Sequence, residues 1–206
     1  MKPKIYIAGK IGKNDFRHKL VPQLRDMDWP GEPVRCDSFI YCGPFFAGCD
    51  HGCSHGPTRH GVVSDSPCQD AQQHMTDDEI RDLVILTNND ALASADYVFA
   101  YIDCLTAYGT LVELGAAYAM GKQVLLFLGT NIFETEDHHL WYAAQQADVL
   151  YRNVSEQEFC DAVRKFSARA CDLQQARKKR APMNRSDGDD ALFDHDSARM
   201  GKQPLH

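Results

Sequence analysis

One carboxylate, Glu113, stands between two apolar runs in the stretch YIDCLTAYGTLVELGAAYAMGKQVLLFL, residues 101–128. The spacing Thr110-x-x-Glu113 fits a capping box, in which the threonine hydroxyl accepts from the third helical amide and the glutamate reaches back to the cap amide. The same placement suits chemistry. A carboxylate in the first turn of a helix is kept ionised by the helix dipole and free amides, as a nucleophile working near neutral pH must be. Cap and nucleophile are both open for Glu113, and one side chain can serve as both. Lys10 and Lys13 flank a loop carrying Gly9 and Gly12. Its amides and ammonium groups could receive a phosphate, though the GK[ST] of a Walker motif is absent and surface lysines also serve solubility. Asp103 closes an apolar run, where it could hold a hydroxyl or simply start a turn.

A second cluster lies in CDHGCSHG, residues 49–56, which offers Cys49, His51, Cys53 and His55. Zinc sites usually draw ligand pairs from separated segments, and four alternating ligands on one short piece are hard to wrap into a tetrahedron. Cys36, Cys42, His60 or Cys68 could supply another pair. The preferred reading involves no metal: residues 42–75 form a long glycine-rich loop or lid, with aromatic walls from FIYCGPFF, Phe39 to Phe46.

The surrounding chain shows which elements must hold these groups. KIYIAG, residues 4–9, reads as a first, central strand, and residues 14–27 as a helix that is kinked or starts late at Pro22. Val34 to Tyr41 fits a second strand. Thr76 followed by DDE caps a helix to about Leu92; ADYVFAYID is a strand, TLVELGAAYAMG a helix ending at Gly121, and QVLLFL a strand. Residues 137–147 read as helical, ADVLY as a short strand, and SEQEFCDAVRKFSARACDLQQ as an amphipathic helix capped by Ser155. Strands alternating with helices, the later strands apolar throughout, predict a doubly wound α/β, flavodoxin-like parallel sheet of five strands, interrupted by the Cys/His-rich insertion. Ligands of such sheets sit beyond the carboxyl ends of the strands, near the switch point. The folded unit is expected over residues 1–175, with a polar tail over 176–206 too poor in apolar surface to pack.

The 206 residues suffice for one domain with a substantial core, and 44% of them are hydrophobic. A net charge of -7 argues against a nucleic-acid polymer as the main partner. Without an apolar run long enough to span a bilayer or an export signal, the expected location is cytoplasmic, away from membranes, with the eight cysteines as reduced thiols.

KIYIAG, ADYVFAYID and YGTLVELGAAYAMGKQVLLF together resemble the nucleoside 2-deoxyribosyltransferase family, which includes deoxynucleoside-monophosphate N-glycosidases. The resemblance covers roughly residues 4–11 and 76–151 and is most specific in Gly-Thr-x-x-Glu-Leu-Gly, residues 109–115. It implies that Glu113 is the nucleophile and that Tyr6 assists it; the switch-point crevice, which gathers Tyr6 to Lys13 and residues 103–113, is what puts Gly9, Lys10, Gly109 and Thr110 among the expected substrate-binding residues. No cofactor is implied. The partner would be a small nucleoside or nucleotide, in a homo-oligomer whose neighbour completes the pocket. Two positions depart from the pattern. The family's base-contacting aspartate, eight residues before the strand aspartate Asp96, is Asn88 here, with Asp90 two residues on; Asn can pair with a base edge but cannot be a general acid. Six residues before Glu113 the family has Asp or Ser, where this chain has Ala107. Asp103 is the remaining acid for a sugar hydroxyl. The rival expectation is a non-catalytic nucleotide-binding or sensing protein of the same fold, with the Cys/His loop as metal or redox module.

Overall fold

The computed structural model describes residues 2–11, 15–25, 32–45, 77–133, 135 and 138–180. Its frame is a mixed, mostly parallel sheet of six strands in the order β2-β3-β1-β4-β5-β6. The strands are β1 (Lys4–Gly9), β2 (Val34–Arg35), β3 (Ile40–Gly43), β4 (Tyr97–Ile102), β5 (Gln123–Gly129) and β6 (Val149–Val154). The helices are α1 (Arg17–Leu20), α2 (Asp77–Ser94), α3 (Tyr108–Ala119), α4 (Trp141–Gln146) and α5 (Glu156–Arg180), with 3-10 turns at Pro22–Arg25 and His138–Leu140.

Each central strand is apolar along its whole length because both of its faces are covered. Ile5, Ile7, Phe99, Tyr101 and Phe127 pack with residues of α1 and α5. Their neighbours in sequence, Tyr6, Ala8, Val98, Ala100 and Leu126, pack with residues of α2, α3 and α4. On the first side Phe16 meets Tyr101 and Phe159 edge to face at centroid distances of 5.5 and 5.1 Å, a favoured geometry for aromatic pairs.

An Ala-Asp pair sets the amino end of two strands. Asp96 accepts from Lys4 N at 2.8 Å and donates its own amide to Lys4 O at 2.9 Å. Asp148 repeats this with Val124, at 2.7 and 2.9 Å. The landmark Ala-Asp-strand pattern therefore fixes strand register at the end of the sheet opposite the expected site.

Several expectations are corrected. The sheet has six strands rather than five, because the segment expected as one strand, Val34 to Tyr41, is broken into β2 and β3, which pair antiparallel. Of the helix expected over residues 14–27, the described residues 15–25 hold the four-residue α1 and, from Pro22, a 3-10 turn; proline lacks the amide that would continue the helix. Cys42 and Gly43, expected in the loop, belong to β3. The final helix reaches Arg180, taking in the RKKR run. At its start the expected cap is present: Ser155 Oγ accepts from Glu158 N at 3.3 Å while Glu158 Oε2 accepts from Ser155 N at 2.8 Å. Among the described residues no helix is long and apolar enough to cross a membrane.

Candidate active site

Tyr6 and Glu113 are 107 residues apart and meet: Tyr6 Oη donates to Glu113 Oε1 at 2.5 Å. Strand alternation turns Tyr6 toward α3, where it is fully buried. In α3 the buried residues are Thr110, Leu114 and Ala117. Glu113 borders that stripe and is partly buried as a residue, with its carboxylate turned to Tyr6 on the sheet.

Glu113 is not held as its spacing suggests. α3 starts at Tyr108, and its N-cap is Ala107, which makes no side-chain cap bond. Thr110 therefore lies inside the helix and is buried, and the expected capping box is absent. Glu113 stands in the second turn, beyond the reach of the first-turn dipole effect. Its environment comes from tertiary packing. Burial pushes its carboxyl above the usual value, opposed by the Tyr6 hydrogen bond and then by the charge of Arg17. The Tyr6 phenol is pushed well above its ordinary value, first by burial and then by the neighbouring Glu113 charge, so it stays protonated and donates. A carboxylate gripped at one oxygen by a neutral phenol can attack an electrophilic carbon or accept a proton through the other.

The other expected residues divide. Gly9 ends β1, and a Cβ there would come within 2.8 Å of Phe16 Cζ and 3.0 Å of Tyr101 O, so only glycine lets the strand end pack this closely. Lys10 Nζ donates to Thr106 Oγ1 at 3.1 Å, tying the end of β1 to the loop between β4 and α3 across the crevice where the strand order switches. Lys13 and Gly12 lie outside the described residues. Asp103 follows β4 and is partly buried against the end of β5, where a Cβ on Gly129 would touch its Cα at 3.0 Å. Gly109 is exposed, with open space where a Cβ would stand.

α2 is unbroken from Asp77 to Ser94, which sets Asp90 about 200° around the helix from Asn88, on an exposed position. Asp90 does not take Asn88's place. Asn88 shares a face with Ala91, which lies over Gly43; a Cβ at Gly43 would meet Tyr6 Cε2 at 3.0 Å and Ala91 Cβ at 3.1 Å. Asn88 Oδ1 is buried and has no hydrogen-bond partner among the described residues. Buried amide oxygens normally have one.

No protein-family model, curated protein or solved structure matches this chain. The site is therefore read from its own geometry.

Cys49, His51, Cys53, His55, His60 and Cys68 lie outside the described residues. Cys42, weighed above as a further ligand, is a core residue whose thiol burial pushes up to about 12. Among the described residues no group of three or more His, Cys, Asp or Glu could hold a metal ion. Sequence reasoning missed Arg17, which is completely buried. The only trace it leaves is a charged residue next to Phe16 in a segment whose apolar spacing is helical.

Proposed function

We propose that this protein cleaves or transfers the N-glycosidic bond of a nucleoside or nucleoside 5′-monophosphate through a glycosyl ester on Glu113. The observation that carries the reading is the 2.5 Å bond from Tyr6 to Glu113. It joins the two residues that the resemblance pairs as nucleophile and assistant. The order β3-β1-β4-β5-β6 of the parallel strands supports a flavodoxin-like arrangement, with Gly9, Lys10 and Asp103 at strand carboxyl ends.

In the first step a Glu113 oxygen bonds to C1′ as the C–N bond breaks, and the base departs with the electron pair and takes up a proton. The sugar passes through an oxocarbenium-like state, as in retaining glycosidases. Tyr6 keeps the carboxylate oriented for in-line attack. In the second step an acceptor base or water attacks C1′ and releases Glu113. Asn88, whose amide oxygen has no partner among the described residues, suits an N–H donor on the base.

The test is a panel of deoxynucleosides and their 5′-monophosphates, with and without an acceptor base. Free base, and the sugar's mass on the Glu113 peptide after trapping with a 2′-fluoro analogue, are expected. Saturable binding with no base release from any member would reverse the reading in favour of a nucleotide-binding protein.

A further inference from the structure

Along β1, Pro3 O accepts from Ile40 N and Lys4 O accepts from Asp96 N. Odd-numbered carbonyls therefore face β3 and even-numbered ones face β4. The pairing with β3 ends at Tyr6 and Gly43, while β1 continues to Gly9. The carbonyls of Ile7 and Gly9 thus point to where β3 has stopped. Arg17 fills that place. Its Nε donates to Ile7 O at 2.9 Å, its Nη2 to Gly9 O at 2.6 Å and its Nη1 to Asp15 Oδ2 at 2.8 Å. A planar fork can bridge two carbonyls spaced this way, which a lysine ammonium cannot match.

Hydrogen bonding alone does not call for a cation, and burying one is expensive. Asp15 offsets part of the charge. The remainder reaches the groups around the strand end: Arg17 weakens the hold of Tyr6, Tyr41 and Glu113 on their protons, against burial, which strengthens it for all three. The other groups acting on that cluster are anionic when charged: Glu113 and Tyr41 on Tyr6, and Asp15, Cys42 and Glu113 on Tyr41.

We propose that Arg17 is the positioning residue of this site: it replaces the missing length of β3, fixes the end of β1 beyond Tyr6, and holds one positive charge at that strand end. Its relevance to catalysis rests on the reading of Glu113 as the reacting carboxylate. The two claims separate if the Glu113 carboxyl is titrated directly, by carbon-13 resonance in protein labelled at the glutamate carboxyl and assigned with Glu113→Gln. Arg17→Gln should move the Glu113 midpoint upward, and Arg17→Lys should leave it near the wild-type value while lowering the melting temperature. The double variant Arg17→Gln with Asp15→Asn leaves no buried charge unpaired and should also move the midpoint up; it carries the test if the single variant does not fold. Where base release is measurable, its acid limb should follow the same midpoints. Folded Gln variants that titrate like wild type, or a Lys variant that shifts as far as Gln, would reduce Arg17 to a strand brace. The expected shifts in a protein that releases no base would uphold Arg17's role and reject the glycosyl-transfer reading alone.

Discussion

Tyr6→Phe deletes one oxygen from a fully buried ring and leaves Glu113 Oε1 without its donor. Hydrogen bonds to charged groups contribute about 1.5–3 kcal/mol. The variant should fold with a lowered melting temperature. Because the lost bond was holding the Glu113 carboxyl down, the acid limb of base release should move to higher pH. Glu113→Gln behaves differently. The folded protein holds the Glu113 proton more tightly than the unfolded chain does. Stability therefore falls as pH rises from the usual carboxyl range through the raised folded value, and the penalty is complete above it. Glutamine keeps an acceptor for Tyr6 and carries no charge. Its melting temperature should exceed the wild type's at neutral pH and converge with it well below pH 4.5, while base release is lost. A variant that melts lower than wild type at neutral pH would show that Glu113 is not a destabilised anion, and one that still releases base would show that it is not the nucleophile.

At the scale of elements, apolar runs with helical or strand period were legible: β1, β4, β5, α2 and α5 lie where their sequences put them, within a few residues. What the sequence hid was set by partners distant along the chain. Thr110-x-x-Glu113 has the spacing of a capping box, yet Ser155-x-x-Glu158 forms one, because Glu113 is drawn to Tyr6 on β1 and α3 begins a turn portion earlier. Arg17 was invisible for a similar reason, since its task depends on where β3 stops. These differences are measurable. Ser155→Ala should destabilise the protein by about 0.5–2 kcal/mol. Gly109→Ala, with open space at its Cβ, should stabilise it by about 0.5–1 kcal/mol. Gly9→Ala should destabilise it by about 1–3 kcal/mol, because the new methyl meets Phe16 and the Tyr101 carbonyl. Denaturant unfolding of the three variants checks the ordering. If Gly109→Ala is also stable but binds nucleoside more weakly, the open space at that position is where substrate sits.

At the scale of the whole molecule, the helices beside the site carry more exposed apolar side chains than a solvated face needs. In α3, Tyr108, Val112 and Ala119 fall on one line opposite the buried Thr110, Leu114 and Ala117, and Tyr108 and Val112 are 69% and 73% exposed. Leu86 on α2 and Trp141 and Tyr142 on α4 add to it at 61%, 57% and 65%. Exposed apolar side chains on helices flanking the Tyr6–Glu113 pair favour self-association, and a standard interface hides about 800 Å² per partner. We expect the protein to be a homo-oligomer through this face. Light scattering at micromolar concentration should give a multiple of 23.2 kDa. Val112→Lys combined with Leu86→Lys should return the single-chain mass, because two ammonium groups cannot be buried unpaired across the contact. Both positions point to solvent within one chain, so the circular dichroism of the double variant should match that of wild type. A wild-type mass of one chain at every concentration would mean that the face meets something other than a second copy, and the site would then have to be complete within a single chain.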